Sequence, residues 1–224
     1  MKKITFILAL ILVCSHILLA QNPNENKKPR IALILSGGGA KGIAHIPVLQ
    51  MLDSLGIVPD LVVGNSMGSI VGGLYAMGYS GDSIAHIAKT ANWDNLIGGN
   101  VSLNNVSVEE KTEFGRYLIG MGAKDGKIKL TPFLLNDQNL RTFLADLTYP
   151  VYTNTNFDKL SIPFRAIATD IVNGKEVVLD KGGLAFAMRA SMSIPGAFIP
   201  VPYENTLLID GGVLNNFPVD VAKK

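Results

Sequence analysis

The feature that most constrains the fold is a repeated order of apolar run, glycine-rich turn and helical segment in the first third of the chain. Residues 30–35 read RIALIL and residues 61–63 read LVV. Runs that are apolar without alternation are typical of strands buried on both faces of a sheet. Segments with helical spacing follow at 46–55 and 67–77. This strand–helix–strand–helix order predicts an α/β domain with a mainly parallel sheet.

The spacing of apolar residues predicts the remaining elements. Pro47 lies inside the first helical segment, so a late helix start or a kink is expected there. The apolar stripe of that helix is predicted to comprise Ile46, Val48, Leu49, Leu52 and Leu55. Further predictions are helices at 80–90, 136–147 and 182–190, hairpins joining 117–121 to 127–130 and 163–171 to 175–179, and a strand at 206–209.

The first glycine-rich turn has the spacing G-x-G-x-x-G between a strand and a helix, which is the context of a dinucleotide-binding loop. That interpretation also requires an acidic residue at the end of the second strand. Asp60 has roughly the right separation, but it precedes the strand at 61–63. Nucleotide binding is therefore only a distant alternative. The turn comprises Gly37, Gly38, Gly39, Ala40, Lys41 and Gly42.

The second turn has the spacing G-x-S-x-G, again between a strand and a helix, which is the context of a nucleophile elbow. A sharp turn there projects the Ser66 hydroxyl from the backbone, at a helix N-terminus that favours negative charge. The alternative is a serine N-cap followed by a glycine-rich packing helix. The motif comprises Gly64, Asn65, Ser66, Met67 and Gly68.

The histidines restrict which base could serve Ser66. The chain has His16, His45 and His86, and none follows the late acidic residues. A triad in the order Ser, Asp, His is therefore impossible in this chain. The best base is the carboxylate of Asp210, which ends the strand at 206–209, although in isolation an Asp-Gly turn would be the better explanation of that residue. Gly211 and Gly212 follow it.

Taken in order, the motifs GGGAKG, GNSMG and DGG resemble the patatin-like phospholipase family from about residue 30 to the end of the chain. Residues 164–170 (FRAIATD) and 189–195 (RASMSIP) are similar as well. The resemblance implies a three-layer α/β/α fold and a Ser–Asp dyad, with Ser66 as nucleophile and Asp210 as proton acceptor. It also implies that the glycine loop forms the oxyanion hole, with Gly38 and Gly39 as donors.

The first twenty residues form a separate segment. Lys2 and Lys3 precede an apolar run that ends at Ala20, which predicts a secretory signal peptide at 1–20, followed by a polar linker at 21–29. A membrane anchor is the alternative. Cleavage would remove two of the 20 basic residues and the single cysteine, Cys14, and leave 18 basic against 18 acidic residues. A neutral, thiol-free domain suits export and gives no electrostatic case for nucleic-acid binding.

The sequence therefore predicts an exported hydrolase of lipid esters such as phospholipids, without a metal or cofactor. The resemblance is strongest to bacterial patatin-like proteins of the outer membrane, some of which continue into a C-terminal β-barrel. We expect the periplasm, the outer membrane or the cell surface as its location, and a domain at 30–224 that is cut short in its last helix. Residues 93–97 could touch a lipid surface, although a role in the core is the simpler interpretation. A catalytically silent passenger or binding module is the alternative function.

Overall fold

The structure is a computed structural model that describes residues 29–97, 121–124, 127–130 and 137–223. Residues 31–224 belong to one compact unit. The predicted signal peptide, most of the linker and part of the first hairpin lie outside the described residues. Within the described ranges, no helix is both long enough and apolar enough to cross a membrane.

A six-stranded sheet forms the centre of this unit. The described strands are β1 (Ala32–Leu35), β2 (Leu61–Asn65), β3 (Met121–Lys124), β4 (Lys127–Leu130), β5 (Phe164–Asp170), β6 (Lys175–Leu179), β7 (Val201–Tyr203) and β8 (Thr206–Asp210). The strand order of the sheet is β1-β2-β5-β8-β7, with β6 paired to β5, and β3 and β4 form a separate two-stranded hairpin.

Strands β1, β2 and β5 are parallel neighbours. Strands β6 and β8 run antiparallel to β5, and β7 runs antiparallel to β8. Four of the six strands, β1, β2, β5 and β7, therefore point in the same direction. The predicted α/β architecture with a mainly parallel sheet is confirmed.

Helices cover both faces of this sheet. They are α1 (Ile46–Ser54), α2 (Met67–Met77), α3 (Gly81–Thr90), α4 (Trp93–Ile97), α5 (Gln138–Thr148), α6 (Leu184–Ser191) and α7 (Val219–Ala222), with 3₁₀ turns at Gly39–His45, Tyr149–Val151, Phe157–Lys159 and Gly211–Val213.

Successive residues of the central strands enter two different hydrophobic clusters. Val62 belongs to the large core around α2, whereas Val63 packs with Ile167 and with Val221 of α7 on the opposite face. This alternation is what a strand buried on both faces requires, because consecutive side chains point to opposite sides. The close packing of α2 against β2 requires glycine at position 72, because a Cβ there would lie only 2.9 Å from the Val62 side chain.

Several local predictions are confirmed and others are wrong. Pro47 lies in the first turn of α1, after a 3₁₀ segment, so the predicted late start is correct. The predicted burial of β1 on both faces is confirmed only in part: Leu35 is buried and Ile34 packs with the cluster on the opposite face, but β1 ends the strand order and Ala32 is exposed. The predicted stripe of α1 is wrong at Val48 and Leu55, which are exposed. The first strand of the first hairpin begins at Met121, whereas residues 117–120 of that prediction lie outside the described residues.

Candidate active site

The carboxyl ends of β2 and β8 meet beside the same point of β5. Asn65 of β2 pairs with Ile167, and Asp210 of β8 pairs with the next residue, Ala168. Strand β6 occupies the other side of β5 at these positions. Because β2 and β8 approach from opposite directions, the sheet brings Ser66 and Asp210 to one place.

Ser66 occupies the sharp turn that the G-x-S-x-G spacing predicts. Its φ is +51° and its ψ is −123°, a conformation that residues with a Cβ rarely adopt. It lies at the N-terminus of α2 and makes no side-chain capping hydrogen bond, unlike a serine N-cap. A Cβ at Gly64 would lie 2.5 Å from the carbonyl oxygen of Gly68, so this turn requires glycine.

Asp210 is held by its own turn and by the segment after α6. The Gly212 N–H donates to Asp210 Oδ1 at 2.7 Å, and the Asp210 N–H donates to the Ser193 carbonyl at 2.9 Å. Burial raises the pKa of the Asp210 carboxyl above its usual value, while hydrogen bonds from the Ser66 side chain and the Gly212 N–H oppose that rise. The Asp210 carboxylate thus contacts the Ser66 side chain in a largely desolvated position.

The glycine loop lies over these two residues. Gly37, Gly38 and Gly39 line the same cleft as Ser66 and Asp210, whereas Ala40 and Lys41 are exposed and do not line it. Gly39 has a φ of +54°, which favours glycine. Gly42 is buried against Met67, where a Cβ would overlap that side chain. The loop is therefore packed directly on the turn that carries Ser66.

The cleft has a volume of about 310 Å³ and a mixed lining. Polar groups converge at Ser66 and Asp210, while apolar side chains supply part of the wall. Such a combination of apolar wall and few placed polar groups is typical of small-molecule sites. The remaining lining residues are Ile194, Pro195, Gly212, Val213 and Asn216.

Asn216 belongs to the site although no sequence motif predicted it. Its Oδ1 accepts hydrogen bonds from the Gly37 N–H at 3.0 Å and from the Asn65 Nδ2 at 2.9 Å. Asn65 is fully buried, and its Oδ1 has no hydrogen-bond partner among the described residues. Asn216 therefore links the glycine loop to the strand that carries Ser66. The Asn-Asn pair soon after Asp210 was the only signal in the sequence.

Two serines within RASMSIP, Ser191 and Ser193, also contact the site, and no role for them was predicted from the sequence. The Ser66 N–H donates to Ser191 Oγ at 2.9 Å, and Ser193 supplies the carbonyl that binds Asp210. Arg189, also buried, donates to Ser193 Oγ and to Asp137. This segment therefore contacts the backbones of both candidate catalytic residues.

The cleft lining does not include His45, His86 or Lys41. His45 Nε2 is hydrogen-bonded to the Ser36 carbonyl at 2.9 Å. His86 is exposed. Within the described part of the chain, no group of three or more His, Cys, Asp or Glu residues is placed to hold a metal ion.

Comparison with known proteins identifies the class to which this fold and cleft belong. The family described as patatin-like phospholipase matches residues 33–223, nearly the whole of the compact unit. The chain belongs to the patatin-like phospholipase family. The predicted family is thereby confirmed from an independent comparison.

Curated relatives match the same region. An uncharacterized NTE family protein of Mycobacterium tuberculosis is 34% identical over 194 residues, which cover 87% of this chain and 46% of that protein. Lysophospholipase NTE1 of Meyerozyma guilliermondii is 31% identical over 210 residues, which cover 87% of this chain and 12% of that protein. The chain thus spans less than half the length of these relatives.

A solved structure supports the fold. VipD from Legionella pneumophila aligns with a TM-score of 0.54 at 16% identity, over 86% of this chain and 47% of that one. At this identity the similarity concerns the fold alone.

Proposed function

We propose that this protein is a lipid acyl hydrolase that uses Ser66 as nucleophile and Asp210 as general base. The observation that carries the proposal is the meeting of Ser66, Asp210 and the glycine loop in one cleft. Membership of a phospholipase family and the name of the fungal relative, a lysophospholipase, support the substrate class.

In the proposed first half-reaction, Asp210 accepts the hydroxyl proton of Ser66 as Oγ attacks the ester carbonyl carbon. The bond from that carbon to the alcohol oxygen then breaks, and Asp210 returns the proton to the leaving alcohol. Water attacks the acyl-enzyme in the second half-reaction, with one proton again passing to Asp210. Collapse of this intermediate releases the fatty acid and restores the Ser66 hydroxyl.

The raised pKa of Asp210 supports its role as a base. A carboxylate with an ordinary pKa is a weak proton acceptor near neutral pH, and a pKa closer to the working pH makes proton transfer more favourable. Burial is the main cause of the rise. The position of Asp210 beside the Ser66 side chain suits the proposed proton transfer.

The glycine loop is proposed to hold the oxyanion of both tetrahedral intermediates. Because the Gly37 N–H is hydrogen-bonded to Asn216, the proposal assigns the donor role to the N–H groups of Gly38 and Gly39. A single donor of this kind typically contributes about 3 kcal/mol to transition-state stabilisation. Glycine permits the backbone to approach the substrate closely.

The surroundings of the cleft favour a lipid ester over a polar one. Ile194 and Val213 line the cleft, and Val213 is 53% exposed. Leu214 and Phe217, in the same segment, are 51% and 59% exposed. Exposed apolar side chains beside a catalytic cleft suit contact with acyl chains or a membrane surface. By contrast, Leu96 of α4 is buried, which favours a core role for that side chain.

Export remains part of the proposal on the strength of the N-terminal sequence. The basic and apolar pattern of residues 1–20 suits secretion to the periplasm, the outer membrane or the cell surface. The mass of the protein recovered from its native host tests this: a mature chain starting at Gln21 is expected, and an intact N-terminus would contradict cleavage.

The release of free fatty acid from phosphatidylcholine vesicles and from lysophosphatidylcholine micelles tests the proposed activity. The wild-type protein is expected to release fatty acid, and Ser66→Ala to release none. Ser54→Ala is the matched control, since Ser54 is exposed on α1 and bonds only to its own helix at Met51. Hydrolysis of soluble esters without vesicle hydrolysis would indicate a general esterase, and binding without any hydrolysis would indicate a silent module.

A further inference from the structure

Ser191, the last residue of α6, is fully buried, and its side chain is hydrogen-bonded to the backbone of the candidate nucleophile, Ser66. Its Oγ accepts a hydrogen bond from the Ser66 N–H at 2.9 Å. Ser66 precedes the first turn of α2, so its N–H has no partner within that helix. The Ser191 hydroxyl therefore satisfies a backbone donor that would otherwise be buried without an acceptor.

This hydrogen bond acts on a strained residue. Ser66 has a φ of +51°, and Glu204 is the only other described residue besides glycine with a positive φ. Such conformations persist only where the surrounding structure holds them. A rotation of the Ser66 backbone toward ordinary φ values would carry Oγ away from Asp210, so the acceptor at Ser191 holds the nucleophile in its reactive direction.

The segment that carries Ser191 also holds Asp210. Two residues further on, the Ser193 carbonyl accepts a hydrogen bond from the Asp210 N–H at 2.9 Å. Ser193 Oγ is in turn bonded by Arg189 Nη1 at 2.5 Å, and Arg189 Nε donates to Asp137 at 2.6 Å. Residues 191–193 thus join the two candidate catalytic backbones, and a buried ion pair anchors them to the start of α5.

We propose that Ser191 is a positioning residue, which holds the Ser66 backbone in the strained conformation that aims Oγ at Asp210. This inference rests on the proposed function, because it assigns the role relative to Ser66 as nucleophile. Ser191 lies outside the lining of the cleft, so its effect falls on the turnover rate and not on substrate binding.

Steady-state hydrolysis of 4-nitrophenyl butyrate by the full chain tests the inference. Ser191→Ala is expected to lower kcat by about 10-fold or more, since small misplacements of a reacting group reduce rates strongly. KM is expected to stay within about two-fold of the wild-type value, because the lining of the cleft is unchanged. The acid limb of the pH profile is expected to stay in place, because Asp210 keeps its bonds to Gly212 and Ser193.

Thr148→Val is the matched control for loss of a buried hydroxyl. Thr148 is buried, and its Oγ1 donates only within the end of α5, to Leu144 and Ala145. This variant is expected to lose stability but to keep kcat per folded molecule. Should Ser191→Ala fold poorly, Ser191→Cys keeps the size and a weak acceptor and is expected to retain more of kcat than Ser191→Ala does.

The outcomes separate this inference from the function on which it rests. An active wild type and an inactive Ser66→Ala, with Ser191→Ala at the wild-type kcat, would overturn the inference alone. A fall in kcat that is matched by Thr148→Val would also overturn it, because a general loss of packing would then suffice. A wild-type protein without esterase activity would overturn both.

Discussion

Asn216 Oδ1 accepts a hydrogen bond from the Gly37 N–H at 3.0 Å and thereby ties the segment after β8 to the glycine loop after β1. The same oxygen accepts a second bond from the buried amide of Asn65. One exposed side chain, four residues after Gly212, thus connects the first two sequence motifs. The connection fixes the loop relative to Ser66, where the oxyanion is proposed to form.

Substitution of Asn216 is expected to lower activity more than stability. Asn216→Ala removes the acceptor of both hydrogen bonds, so kcat for a soluble ester is expected to fall about 10-fold through misplacement of the loop. The free energy of unfolding is expected to fall by about 1 kcal/mol, because the Asn65 amide loses its partner. Ester hydrolysis and urea unfolding measure the two effects.

The neighbouring residue provides the control. The Asn215 side chain donates to Glu176 and Asp220, and its hydrogen bonds within the described residues do not reach the glycine loop. Asn215→Ala is expected to retain the wild-type kcat. An equal loss of activity in both variants would show that Asn216 acts only through the general stability of this segment.

The raised pKa of Asp210 predicts the pH dependence of the reaction. A general base must be deprotonated, so kcat/KM for a neutral ester is expected to fall on the acid side, with an apparent pKa above the ordinary 3.8 of an aspartate. A pH–rate profile on a soluble ester measures it. An acid limb at or below the ordinary value would contradict the desolvated environment of Asp210.

The raised pKa of Asp210 also makes the stability of the fold depend on pH. The direction of this dependence is opposite to that caused by the lowered pKa of a salt-bridged aspartate. The folded state binds the Asp210 proton more tightly than the unfolded state does, so the free energy of unfolding falls as pH rises from 3.8 through the folded-state pKa. Asp210→Asn removes this penalty. The variant is expected to be more stable than the wild type at pH 7 and to lose that advantage below pH 3.8, as measured by urea unfolding.

The buried ion pair between Arg189 and Asp137 is expected to be a major element of stability. Arg189 Nη2 lies 2.5 Å from Asp137 Oδ2, and both side chains are at least nine-tenths buried. Arg189→Met leaves the carboxylate of Asp137 with Arg141 as its remaining partner. The free energy of unfolding at pH 7 is expected to fall by about 3 kcal/mol, since removal of one partner strands a buried charge.

A double variant and the pH dependence test this interpretation. Arg189→Met with Asp137→Asn is expected to be more stable than Arg189→Met alone, because the stranded charge is gone. Although burial alone would raise the pKa of Asp137, hydrogen bonds from Arg141 and Arg189 lower it, so its stabilising effect is present above pH 3.8 and is lost as pH falls through the lowered value. Equal stability of the single and double variants would contradict the account.

The sequence predicted those parts of the fold that local pattern determines. Helix α2 has the predicted bounds, because its apolar and glycine residues occur between two clear turn signals. The partial exposure of β1 was not predicted, because an apolar run shows only that a strand prefers burial. Its place at the end of the strand order depends on which strands pair with it, and local pattern does not encode that pairing.

The residues of the candidate site could be predicted where they belong to short motifs, but not where they lie outside those motifs and reach the site only through the fold. Ser66 and Asp210 each belong to a motif with glycine neighbours that the turn geometry requires. Ser191 is hydrogen-bonded to a residue 125 positions away in the chain, and Asn216 to residues 179 and 151 positions away. A serine in a helix and an asparagine in a loop have many ordinary explanations, so only the folded chain distinguishes them.

The rate at which a fluorophosphonate probe labels the protein tests the central claim, the pairing of Ser66 with Asp210, most directly. In the wild type, one adduct per chain is expected, located at Ser66 by peptide mass spectrometry. Ser66→Ala is expected to form no adduct, and a folded Asp210→Asn to be labelled about 100-fold more slowly. Labelling of another serine, or an unchanged rate in Asp210→Asn, would contradict it.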